Sequence, residues 1–127
     1  MKTIIAGSRD NIEYRDVLSA MEECPWSSEI TEVVSGKARG VDTFGEQWAT
    51  ENGVVVKEFP ADWKKFGRSA GIKRNEQIGD YADALIAVWD GESRGTKHMI
   101  DYSKNKGLRV FVYNLKDRKS LLSQIFG

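Results

Sequence analysis

Ala84-Leu85-Ile86-Ala87-Val88-Trp89 runs straight into Asp90-Gly91-Glu92-Ser93-Arg94-Gly95-Thr96. An unbroken apolar run suits a strand buried on both faces, and the turn after it carries the Ser and Thr that open helices. The pattern recurs twice. Thr3-Ile4-Ile5-Ala6 breaks into Gly7-Ser8-Arg9, and Glu32-Val33-Val34 breaks into Ser35-Gly36-Lys37-Ala38-Arg39-Gly40. As parallel strands of one sheet, the three runs would end their turns on one edge. Open α/β sheets hold ligands at that carboxyl edge, where helix N-termini point. Each turn carries an Arg, so the edge is suited to an anion.

Outward from these runs, strand and helix patterns alternate along the chain. A first strand (about 2–6) leads to a helix over roughly 10–23, with Ile12, Val17, Leu18 and Met21 near helical spacing. Pro25 and Ser27-Ser28 break it. A strand near 31–35 feeds a helix over about 41–52, whose Val41, Phe44, Trp48 and Ala49 share a face, and Asn52-Gly53 stops it. Val54-Val55-Val56 reads as a short buried strand. Residues 59–71 read as one long irregular segment, a kind that is usually functional or disordered in a compact domain. A helix at 72–80, a strand at 84–89, a helix at about 95–106, a strand at 108–113 and a short terminal helix at about 117–125 complete the chain. Such alternation predicts a parallel sheet with right-handed crossovers. The expected fold is α/β: a single Rossmann-like, doubly wound domain over 1–127, its five-stranded parallel sheet ordered 3-2-1-4-5. The switch point then lies between strands one and four.

The 19 Lys and Arg are balanced by 19 Asp and Glu, so no global field favours nucleic acid. A cationic site must be local. Cys24 stands alone, which excludes an internal disulfide, suits a reducing compartment and reads as a structural thiol. The apolar start is too short for a signal peptide, and no run approaches the ~20 apolar residues of a spanning helix. The expectation is a cytoplasmic protein without membrane or nucleic-acid partners, with Trp26, Trp48, Phe126 or the last helix available to cover a homodimer interface. No Cys/His/carboxylate group has metal-ligand spacing, so neither metal nor cofactor is expected.

In Ser35-Gly36-Lys37-Ala38-Arg39-Gly40-Val41-Asp42, Gly36 and Gly40 would let backbone N–H groups approach a phosphate while Lys37 and Arg39 supply charge. The spacing is neither the dinucleotide fingerprint nor a Walker loop. Asp42 either complements the helix dipole or meets a ligand hydroxyl. Ser93, Gly95 and Thr96 sit where a helix starts; an N-cap alone leaves the recurrence of an Arg-bearing glycine turn unexplained, which favours a phosphate cradle. Gly7-Ser8-Arg9 gains its value from facing the other turns. His98, alone on a helix, reads as a surface or core residue. Trp63 and Phe66, beside Lys64, Lys65 and Arg68, either stack a base or plug the segment against the core. Arg74 and Asn75 open the following helix within reach of the same crevice.

In order, Gly7-Ser8-Arg9, Val34-Ser35-Gly36-x-Ala38-Arg39-Gly40-Val41-Asp42, Phe59-Pro60-Ala61-Asp62-Trp63, Ala70-Gly71-x-x-Arg74-Asn75 and Ser93-Arg94-Gly95-Thr96 resemble the YspA/cpYpsA-related branch of the SLOG superfamily. That group includes Smf/DprA and lonely-guy proteins, and the likeness spans roughly residues 3–112. It implies a nucleotide or nucleotide-derived ligand at the glycine turns, met by Gly7, Ser8, Arg9, Ser35, Gly36, Arg39, Gly40, Asp42, Arg74, Asn75, Ser93, Arg94, Gly95 and Thr96; Lys37, Asp62, Trp63 and Asp90, in or beside the same turns and segment, complete the candidate ligand contacts. Lonely-guy enzymes cleave the N-glycosidic bond of nucleoside monophosphates with a Glu in Pro-Gly-Gly-x-Gly-Thr-x-x-Glu. Met99 stands at that Glu here, and a thioether is no general acid. The sequence thus leaves two principal readings: a sensor or processing module that binds a nucleotide-like ligand, or a hydrolase of N-glycosyl or nucleotide bonds. The second needs another carboxylate from among Glu76, Asp42, Asp62 and Glu92, with Glu76 and Asp42 as the leading candidates. Single-stranded DNA binding, the habit of the Smf/DprA side, ranks last on charge.

Overall fold

The computed structural model describes residues 1–116. Strands β1 (Lys2–Gly7), β2 (Glu32–Ser35), β3 (Val55–Glu58), β4 (Ala84–Trp89) and β5 (Arg109–Asn114) form one parallel sheet in the order β3-β2-β1-β4-β5. Helices α1 (Tyr14–Glu23), α2 (Val41–Glu51), α3 (Trp63–Phe66), α4 (Ala70–Tyr81) and α5 (Arg94–Asn105) connect them. This is the expected Rossmann-like arrangement.

Alternation along the strands builds two cores. Ile5, Val33, Ile86 and Val88 pack with Val17 and Met21 of α1 and Val41 and Ala49 of α2. Their neighbours Ile4, Val34, Leu85 and Ala87 pack on the opposite face with Ile78 of α4 and Met99 and Ile100 of α5. The central strands are buried on both sides, which is why they read as continuous apolar runs. The chain winds one way through α1 and α2 and returns through α4 and α5. The order therefore reverses between β1 and β4, and a crevice opens above their C-terminal ends.

Several local expectations need correction. The first helix begins at Tyr14 rather than near residue 10. Asn11 takes a left-handed φ of 58° and the Asp16 carboxylate accepts the Glu13 N–H at 2.9 Å, fixing a later start. Segment 59–71 is not irregular: α3, a 3₁₀ turn at Gly67–Ser69 and the start of α4 fill most of it. Strand β3 is an edge and mostly exposed. Val54 and Val56 pack inward, while Val55 is 66% exposed because none of the described residues covers its face. Trp26 is core, set edge-on to Phe111 with the Arg109 guanidinium 4.7 Å from its ring centroid, so it is not free to cover an interface. The helix expected at 117–125, with Phe126, lies outside the described residues. Among the described residues no helix is long and apolar enough to cross a membrane.

Candidate functional site

The crevice at the β1/β4 switch point has a volume of about 160 Å³. Its walls come from three long helices that begin there: Asp42 in the first turn of α2, Gly71, Ile72, Arg74 and Asn75 of α4, and Ser93, Gly95 and Thr96 at the start of α5. Gly7 and Arg9 close the end of β1, Ala38 adds the β2 turn, and Arg68 reaches in from the 3₁₀ turn. Ala6, Ile78 and Met99 form the apolar floor.

Arg74 is the organising side chain. It is only 8% exposed, its guanidinium donates to the Gly36 carbonyl, and its Nε donates to Asn75 Oδ1 at 3.1 Å. Asn75 Nδ2 donates in turn to the Gly95 carbonyl at 3.2 Å and lies 3.2 Å from His98 Nδ1. The β2 turn, α4 and the first turn of α5 are thereby locked together across the crevice.

Among the described residues Asp42 is the one carboxylate in the wall, 6% exposed. Burial pushes its pKa up to about 6, against the Ala38 N–H that it accepts at 3.2 Å and against the charges of Arg74 and Arg9. Arg9, Arg68 and Arg74 share the crevice wall with it, and the first and last of these act on its charge. Arg9 is exposed and forms no ion pair with any described residue. The crevice is thus cationic, with a free positive charge at its mouth.

Two kinds of glycine meet here. A Cβ at Gly7 would lie 1.9 Å from the Val88 carbonyl oxygen, and one at Gly36 would lie 2.7 Å from the Arg74 guanidinium, so both residues are glycine for the protein's own packing. Gly95 differs. It lies in the first turn of α5, lines the crevice, and a Cβ there would meet nothing of the described residues within 4 Å.

The remaining sequence candidates divide by position. Ser8, Ser35, Gly40 and Asp90 build the turns and lie outside the crevice wall. Ser8 Oγ accepts the Asp90 N–H at 3.1 Å, and Asp90 accepts the Glu92 and Ser93 N–H groups, which lower its pKa. Ser35 donates to Glu46 at 2.6 Å, and Gly40 is the N-cap of α2. Lys37 pairs with Glu46 and Glu58, and Arg39 pairs with Asp10. Asp62 caps α3 by accepting the Lys65 N–H at 3.0 Å. Arg94 is exposed at the first position of α5 and Glu76 lies toward Tyr102; neither lines the crevice. Of the two carboxylates named for catalysis, only Asp42 is brought to it.

Arg68 and Gly71 line the crevice without standing among the ligand contacts expected from the sequence. Their signals are the run of cations in 64–68 and the Ala70-Gly71-x-x-Arg74-Asn75 motif, but an irregular segment has no face to aim them. Among the described residues no cluster of His, Cys, Asp and Glu is placed to hold a metal ion.

A model of the YspA, cpYpsA-related SLOG family matches residues 1–66, from β1 through α3. The Gene 61 protein of Mycobacterium phage D29 is 33% identical over 124 residues, covering 91% of this chain and 98% of that protein. No solved structure matches.

Proposed function

The chain belongs to the YspA, cpYpsA-related SLOG family, and on that premise we propose that it binds a phosphate-bearing, nucleotide-like ligand in the switch-point crevice. The observation that carries the reading is Gly95. A glycine inside a helix costs about 0.5–1 kcal/mol relative to alanine, and no atom of the described residues demands one here. A ligand that presses an anionic group against the first-turn N–H groups of α5 does demand it, because a methyl would hold that group off the backbone. The N-cap of α5 makes no side-chain hydrogen bond to those groups. Arg9, unpaired at the mouth, supplies a mobile countercharge, and Arg74 supplies a fixed one.

The test is an equilibrium titration of ribose 5-phosphate and the nucleoside monophosphates into wild-type protein and Gly95→Ala. Binding by wild type and loss in the variant support the reading. Equal affinity in both removes the α5 turn from the site.

Asp42 favours a second reading. A buried carboxylate with a pKa of about 6 keeps roughly a tenth of its molecules protonated at pH 7 and half at pH 6, and that form could give a proton to a departing base as water adds at the sugar carbon, as in a phosphoribohydrolase. Chromatography of the titrated nucleotides separates the two: released base, absent in Asp42→Asn, identifies an enzyme, and intact nucleotide identifies a binding module.

A further inference from the structure

A second cavity of about 370 Å³ adjoins the crevice, and the two share Arg9, Ala38 and Arg74 as walls. Its far side is Pro60, Ala61 and Trp63. The crevice alone, at about 160 Å³, falls well below the roughly 300 Å³ at which pockets begin to enclose a whole small molecule. It holds a fragment; the rest of a ligand must lie elsewhere.

The charges around the second cavity decide what that remainder is. Lys37 is held by Glu46 and Glu58, Arg39 by Asp10, and Arg74 by the Gly36 carbonyl and Asn75. Of the cations lining the second cavity, Arg9 is therefore the one with no hydrogen bond or ion pair to a described residue, and it lines both cavities. A second anionic group would find no uncommitted charge deeper in. What the cavity does offer is an aromatic face. Trp63 stands at the first position of α3, which the Asp62 cap holds, and at 55% exposure its indole is left open. It is no plug.

Resting on the anion-binding reading above, we propose that the ligand is a nucleoside phosphate spanning both cavities. Its phosphate lies at the α5 turn, its base stacks on Trp63 beside Pro60, and Arg9 sits between them. Trp63 is then the residue that distinguishes a nucleotide from a bare sugar phosphate.

The experiment compares ribose 5-phosphate with AMP, GMP, CMP and UMP by calorimetric titration of wild type, Trp63→Ala and Trp63→Phe. Base stacking on an aromatic ring corresponds to about 5- to 100-fold in affinity. At least one nucleotide should bind wild type more tightly than ribose 5-phosphate by such a factor. Trp63→Ala should erase that advantage without changing ribose 5-phosphate affinity, and Trp63→Phe should keep most of it. Nucleotides no tighter than ribose 5-phosphate, or an advantage that survives Trp63→Ala, overturn the proposal while leaving the anion site standing. Failure of all five compounds on wild type overturns both. Because the indole is exposed, an unchanged melting temperature is expected for both variants.

Discussion

Gly95 and Asp42 each carry a stability cost that a ligand site would explain, and each predicts its own signature. Gly95→Ala should raise the stability of the free protein by about 0.5–1 kcal/mol and weaken ligand binding, a pair of opposite signs that a packing defect cannot produce. Asp42 has a folded pKa of about 6 against the ordinary 3.8. A raised carboxylate pKa means that stability is greatest below the unfolded value and falls as pH rises from about 3.8 through 6. The lost stability is on the order of 2–3 kcal/mol by pH 7. Asp42→Asn should therefore be more stable than wild type in chemical denaturation at pH 7 and about equal to it near pH 4. A wild-type advantage at pH 7 would mean that Arg74 needs the ionised partner more than burial opposes it. Arg9→Ala should leave folding unchanged, since its side chain forms no ion pair with the described residues, and should weaken phosphate-ligand binding about 10- to 100-fold, the worth of a charge-assisted hydrogen bond.

Among the elements, the α4–α5 contact is the one on which site geometry depends. Asn75 is its clamp, accepting from Arg74 Nε and donating to the Gly95 carbonyl. Asn75→Ala strands a buried guanidinium N–H and should cost about 1–3 kcal/mol in urea denaturation. A loss within a few tenths would show that the contact is dispensable. Strand order and helix order were legible in the sequence because buried parallel strands are unbroken apolar runs, and each long helix has its own stop. What could not be read was direction. Arg74, Asn75 and Glu76 are adjacent in sequence, yet successive helical residues turn about 100°, so the first two line the crevice and Glu76 leaves it. Arg94 and Gly95 part in the same way. Helix α3 is a single turn held by one cap, too short to leave a periodic trace, and so its segment reads as loop. Val55 carries the residue type of a buried strand, but only the sheet order makes its strand an edge.

For the molecule as a whole, formal charge is zero while the crevice gathers Arg9, Arg68 and Arg74 around Asp42. Anion affinity should accordingly fall with added salt and rise as pH drops through about 6, where Asp42 takes up a proton and ceases to repel the ligand. An affinity flat across pH 5 to 8 would place the ligand away from Asp42. A ligand present at ~100 times its Kd adds about 2.7 kcal/mol to stability, or roughly 10 °C for a chain of this size, which makes melting a direct readout. The measurement that bears most directly on the central claim is the melting temperature of wild type and Gly95→Ala, each with and without ribose 5-phosphate and the four nucleoside monophosphates. The account predicts that Gly95→Ala melts higher than wild type when free, and that ligand raises wild type but not the variant. An equal ligand-induced rise in both proteins would contradict it.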